Sequence, residues 1–178
     1  MWALHAGAAA PAVSLAENRT PLPESETELR RSAEEFVKAI ENRDSGAVLS
    51  FFSHEGTSFI GIAFSIKNPP VPFNEIRKDF EAKTGIYCLF FDTGCFRAED
   101  SRERKRQKGP PLRTAQLISL IEMLKTAKTK RFLTYDNGKV TLLLSDTTLD
   151  RARLGRDALN FYFQLEAGQW KIVNIEYD

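Results

Sequence analysis

The stretch DALNFYFQLEAGQWKIVNIEYD, Asp157 to Asp178, decides the fold. Leu159, Phe161, Phe163 and Leu165 alternate with Asn160, Tyr162, Gln164 and Glu166, a strict period of two over eight residues. That is the pattern of a β-strand with one face on a core. Ala167-Gly168 supplies a turn and a second strand follows. The second strand alternates less cleanly. Trp170 and Ile172 fall on one face, while Val173, Ile175 and Tyr177 fall on the other. Either a bulge shifts the register near Ile172, or the strand is covered on both sides, by helices on one and by a partner on the other.

Upstream, Arg131 to Tyr135 and Lys139 to Ser145 flank Asp136-Asn137-Gly138, and Asn-Gly predicts a type I′ hairpin turn. The first half of the chain is helical. Ser25 and Glu28 have capping-box spacing, and Leu29, Ala33, Phe36, Val37 and Ile40 follow on one helical face. Asp44 is placed to cap a short second helix carrying Val48, Leu49 and Phe52. Thr57 to Ile66 reads as a short extended pair around Gly61, stopped by Asn68-Pro69-Pro70. A third helix is predicted over 72–84, ended by Gly85. Ile86 to Phe91 is a buried apolar run, as a strand or as a helical continuation. Glu99 to Pro111, EDSRERKRQKGPP, has the composition of a solvated loop, and Leu112 to Ala127 returns to helical spacing. Helices first and long antiparallel strands last imply an α+β domain. Residues 1–24 are read as a leader and linker. Residues 25–178 are read as one domain, with a basic loop and helix inserted at about 99–127.

The 178 residues suffice for one sizeable core, and 42% hydrophobic with 28% charged residues is an ordinary globular composition. The net charge of +1 gives no reason to expect nucleic acid or acidic lipid as a partner. The basic run from Arg102 to Lys108 is diluted by Glu99, Asp100 and Glu103 and lacks interleaved aromatics, so it reads as a solvated face. No segment approaches the roughly 18 apolar residues of a membrane span. Phe is over-represented, 13 residues against 4 Tyr and 2 Trp, which points to an aromatic core or an apolar cavity lining.

The opening MWALHAGAAAPAVSLA ends in Ser14-Leu15-Ala16, a small-x-small pattern fitting signal-peptidase cleavage, although a basic start is missing and Pro11 interrupts the apolar run. A truncated signal peptide, giving a periplasmic or secreted protein, and an Ala-rich leader on a cytoplasmic one both remain open. Cys88 and Cys95 are either bridged or two buried free thiols. Two Cys and two His without clustered spacing do not make a zinc site, and no cofactor is expected.

The segment ELRRSAEEFVKAIENRDSGAVLSFFSHEGTSFIG, followed much later by NFYFQLEAGQWKIVNIEYD, resembles the nuclear-transport-factor-2-like superfamily, with its SnoaL-like and ketosteroid-isomerase-like α+β cones. Asp44, Phe51, Phe52, Gly56, Gly168 and Trp170 carry the resemblance, which covers Glu28 to about Phe91 and Arg131 to the end. It implies a cystatin-like cone, with helices packed on the concave face of a curved, mainly antiparallel sheet. It also implies an apolar pocket between the two. Some members are isomerases, dehydratases or cyclases of hydrophobic small molecules, and others are binding or dimerising modules, so the fold alone does not set the activity.

An isomerase on this fold needs a carboxylate base and an acidic hydrogen-bond donor facing one apolar pocket. The catalytic candidates are Asp92, Tyr87 and His54; none matches a family catalytic motif. Tyr87, Phe91, Asn160, Tyr162 and Gln164 are the ligand-binding candidates. The last three serve as such only if the polar face of their strand lines the cone; otherwise they face solvent or a partner subunit. Asp92-Thr93-Gly94 after an apolar run resembles an aspartic-protease loop. A single copy would require a homodimer, and Cys95 departs from the usual next residue, so a plain turn is favoured. Phosphate-loop, nucleophile-elbow and zinc-protease motifs are missing. The expectation is an exported, non-catalytic domain binding a small apolar ligand, or a protein partner such as a second copy docked through the sheet face. A cofactor-free isomerase or lyase is the alternative.

Overall fold

The computed structural model of the chain describes residues 24–60, 70–107, 118–145 and 157–177. The elements run α1 (Glu24–Glu41), α2 (Ser45–Ser50), β1 (Ser58–Ile60), α3 (Phe73–Ala82), α4 (Ile86–Phe91), α5 (Thr93–Gln107), α6 (Leu120–Thr126), β2 (Thr129–Thr134), β3 (Lys139–Ser145), β4 (Asp157–Glu166) and β5 (Gln169–Tyr177). The five strands form one sheet in the order β1-β5-β4-β3-β2, antiparallel except where β1 runs parallel to β5. The predicted α+β class is what the chain adopts. The leader, the Gly61 segment, the residues before Ile118 and those between β3 and β4 lie outside the described residues.

The helices cover one face of the sheet. Leu29, Ala33, Phe36, Val37 and Ile40 of α1 are all buried, as their spacing requires. Ser25 and Glu28 both lie inside α1. Asp44 caps α2, its Oδ1 accepting the Ala47 N–H at 2.9 Å. Facing these helices are Phe59, Ile175, Phe161 and Val140, side by side across four strands, and Leu159 and Leu142 in the next rung.

The register of β5 resolves the irregular alternation. Tyr162 pairs with Asn174 but Phe163 pairs with Ile172, so Val173 is an extra residue opposite no partner. This β-bulge lets Ile172 and Ile175, three residues apart, both face inward and both be fully buried. The bulge alone accounts for the pattern, and no second cover is needed to explain it. The Ile172 carbonyl accepts the Ser53 N–H at 3.0 Å and the Thr57 hydroxyl at 2.8 Å, which stitches the chain after α2 to the sheet edge.

Ile86 to Phe91 is helical, the second of the two readings open to it. Several other local expectations are corrected. Gly85 does not end the third helix; Lys83 takes the left-handed conformation there, and Gly85 starts α4 with φ +50°. A side chain at Gly85 would meet the Asp79 carboxylate, whose Oδ2 accepts the Ile86 N–H at 2.9 Å. The loop expected from Glu99 is helix through Gln107, because α5 is already nucleated at Thr93 and the Glu99–Arg102 pair, at 2.8 Å, supports it. Asp136-Asn137-Gly138 is not a type I′ turn. Only Gly138 has positive φ, +77°, and Tyr135 N–H donates to the Lys139 carbonyl, so this is a three-residue loop with a bulge. The geometry with two positive φ values is found instead at Ala167 (+48°) and Gly168 (+79°).

An L-residue with a Cβ in the left-handed region costs about 1 kcal/mol. Ala167→Asn, which tolerates that region better, or Ala167→Gly should therefore raise the unfolding free energy by about 0.5–1 kcal/mol in urea titration. A loss of stability in both variants would contradict this reading of the turn.

Candidate functional site

A fold of this kind offers two places for a site, the space between helices and sheet and the outer face of the sheet. Among the described residues the first is packed with aromatic rings. Phe36 of α1 meets Phe51, Phe52, Phe90 and Phe161 edge-on at centroid distances of 5.4, 6.2, 6.0 and 5.5 Å. Phe52 extends the cluster to Phe59 and Phe80 at 6.1 and 6.0 Å. Each such pair adds about 0.5–1.5 kcal/mol beyond the area it buries. Here, then, is a use for many of the chain's phenylalanines: they pack between the helices and the sheet.

The catalytic candidates are separately engaged. Asp92 is exposed at the start of α5, and its Oδ1 accepts the Cys95 N–H at 2.9 Å, so it serves as a helix cap. Asp-Thr-Gly is the first turn of that helix. Tyr87 is half-buried, its ring against Phe80 at 5.8 Å and Phe91 at 5.0 Å. His54 is exposed in the turn before β1, its ring against Phe73 at 4.8 Å. Phe91 is buried in the aromatic cluster.

Asn160, Tyr162 and Gln164 lie on the sheet face turned away from the helices, because Leu159, Phe161 and Phe163 take the inner face. They do not line the cone. Asn160 and Tyr162 join a polar cluster that sequence reasoning missed. Tyr162 Oη donates to Glu176 Oε2 at 2.9 Å. Lys139 Nζ lies 5.5 Å from the Tyr162 ring centroid and 5.6 Å from that of Tyr135. The Thr141 hydroxyl donates to Asn160 Oδ1 at 2.6 Å, and both residues are buried. Asn174, directly across from Tyr162, holds its Oδ1 buried with no hydrogen-bond partner among the described residues. Leu143 and Leu133 flank the cluster, half-buried. The bulge at Val173 hid this arrangement, since it puts Asn174 and Glu176 on the face opposite to the one that simple alternation from Trp170 gives them.

The described helices precede the four antiparallel strands β2–β5, α1 lies across the inner face of the sheet, and the closing hairpin supplies two of its inner strands. This is the α+β arrangement, helices on one face of a mainly antiparallel sheet, that the resemblance to nuclear-transport-factor-2-like proteins implies. No protein-family model matches the sequence, and no match is found among curated proteins. Among solved structures the chain is similar to a protein of unknown function from Pectobacterium atrosepticum, at 11% identity and a TM-score of 0.46, over 88% of this chain and 91% of that one. It is also similar to a nuclear-transport-factor-2-like protein of unknown function from Pseudomonas putida, at 9% identity and a TM-score of 0.41, over 86% and 85%. A third is a protein of unknown function with a cystatin-like fold from Nostoc punctiforme, at 15% and 0.39, over 89% and 96%. Among the described residues no helix is long and apolar enough to cross a membrane, and no group of three His, Cys, Asp or Glu side chains could hold a metal ion.

Burial, then the hydrogen bond to Glu176, holds the Tyr162 phenol above its ordinary value of 10.0. With the folded value raised, the unfolded chain loses this proton first, so the contribution is fully present below pH 10 and is lost as pH rises further. Unfolding free energy should fall through this alkaline range, and less steeply in Tyr162→Phe. Tyrosinate absorbance of the two proteins should differ by one late-titrating phenol. Superimposable alkaline profiles would disprove the coupling.

Proposed function

We propose that this protein is a non-catalytic interaction domain that pairs with a second copy of itself through the outer face of its sheet. The observation that carries the reading is the aromatic packing around Phe36, which occupies the space where a nuclear-transport-factor-2-like enzyme would hold an apolar substrate. A small apolar ligand in the cone would have to displace buried rings, and the substrate of an isomerase would face the same obstacle. Asp92, Tyr87 and His54 are engaged in three different tasks.

The outer face has the make-up that a two-fold contact uses. Such a contact places one patch against itself, so the patch must carry both senses of charge and hydrogen bond. Lys139 and Arg131 provide cations, Glu176 an anion, and Asn174 Oδ1 an acceptor with no donor among the described residues. Leu143, Leu133 and Ile60 give the apolar contribution. Export belongs to the same proposal. The Cys88–Cys95 disulfide supports it, since such bonds persist in oxidising compartments.

Sedimentation equilibrium should give twice the 20.1 kDa monomer mass at micromolar concentration. Leu143→Asp, on the outer face between the buried Leu142 and Leu144, should return the monomer with an unchanged circular dichroism spectrum. A wild-type monomer at every concentration would sink the pairing. For export, the mature protein isolated from its native cells should begin near Glu17; an intact Met1 in the cytoplasm would refute it.

A further inference from the structure

We propose that the Cys88–Cys95 disulfide is a redox-operated latch for α5: oxidised, it keeps the charged helix ordered, and reduced, it lets residues 97–107 fray while the cone stays folded. The bond joins two unlike elements. Cys88 is fully buried in α4, whose Ile86, Leu89, Phe90 and Phe91 are buried too. Cys95 is half-buried in the first turn of α5.

Beyond Phe96, the sequence of α5 offers no apolar stripe with which to dock. Eight of the eleven residues from Arg97 to Gln107 are Arg, Lys, Asp or Glu, and the only aliphatic one is Ala98. A helix needs an apolar face to dock, and a charged segment this short is marginal alone because helix nucleation is unfavourable. Its order is inherited from a nucleus at its root. That root consists of the Asp92 cap, buried Phe96, the disulfide and Thr93. The Thr93 hydroxyl accepts the Ser119 N–H at 2.9 Å and donates to Glu122 Oε2 at 2.7 Å, tying the root to α6. The disulfide is the one tie a change of compartment can cut.

The chemistry is a thiol–disulfide exchange. A dithiol reductant attacks the more accessible Cys95 sulfur and the S–S bond breaks, with Cys88 leaving as thiolate. The second thiol of the reductant then resolves the mixed disulfide. Two electrons and two protons pass to the protein, giving two Cys thiols and oxidised reductant. Cys88 stays in its apolar site, where a thiol packs as a small hydrophobe, so α4 and the aromatic cluster keep their places.

Hydrogen exchange by mass spectrometry on the full chain, with and without dithiothreitol, tests this. Reduction, verified by thiol alkylation, should speed exchange of the 97–107 amides by about tenfold or more while α1 and the β4–β5 hairpin remain protected. Reoxidation should restore the protection, and Cys95→Ala should exchange like the reduced protein without reductant. Three results would each overturn the latch: unchanged protection of 97–107 in reduced protein and in Cys95→Ala; simultaneous loss of protection in α1 and β5, the mark of a global staple; or a bond that native-state dithiothreitol cannot reduce.

Discussion

Ile172 and Ile175 must both face the helices, and the rest of the domain follows from how β5 achieves this. Three residues apart on a regular strand, they would fall on opposite faces. A regular register holding Ile172 inward would expose Ile175, at about 1.5–3 kcal/mol of lost burial, and would turn Asn174 and Glu176 towards the aromatic core. The bulge at Val173 gives up a ladder hydrogen bond whose net worth is about 0.5–1.5 kcal/mol. Burial wins. The carbonyl of Ile172 then takes Ser53 and Thr57 as donors, both in buried residues, so the same irregularity attaches the chain between α2 and β1 to the sheet.

With β5 so placed, Ile175 and Phe161 form part of the wall against which Phe36 packs. The cluster is held by shape as much as by area, since edge-to-face contacts fix the ring angles at 67° to 81° around Phe36. A pocket on this fold requires that some of these positions be small or missing. Packing them with rings trades ligand space for stability, and the proposed pairing uses the outside of the sheet instead. The bulge determines that surface too, because it presents Asn174 and Glu176 beside Tyr162.

Much of this was legible because a single physical rule governed each stretch. The apolar stripe of α1, the Asp44 cap and the alternation of β4 through Phe163 are buried or bonded as read. Leu165, in phase with that stripe, is exposed, since the hairpin there runs past the core. Other stretches misled because two rules competed. Asn137-Gly138 carries the dipeptide of a type I′ turn, but Gly138 also approaches the Phe163 carbonyl, and the loop is one residue longer. Ala167, the poorer residue for positive φ, takes the tight turn because Glu166 and Gln169 are paired there. Glu99 to Pro111 reads as loop by composition, yet the helix begun at Thr93 continues through Gln107.

Asp92 illustrates why the site was less legible than the fold. An aspartate before a small residue and after an apolar run satisfies a catalytic pattern and a capping pattern equally well. What separates them is the N–H three residues on. A helix start leaves its first donors without backbone partners, and a carboxylate at the cap supplies one. A domain built from short helices in quick succession multiplies such starts. Asp44, Asp79 and Asp92 all accept backbone N–H groups at the beginnings of helices. Glu122 and Ser119 have capping-box spacing at α6, yet both turn to Thr93 and bind the root of a neighbouring helix instead. The short helices of this cone thus consume polar side chains that a sequence reader would assign to chemistry. Glu176, a carboxylate not spent in this way, sits on the face that simple alternation hides.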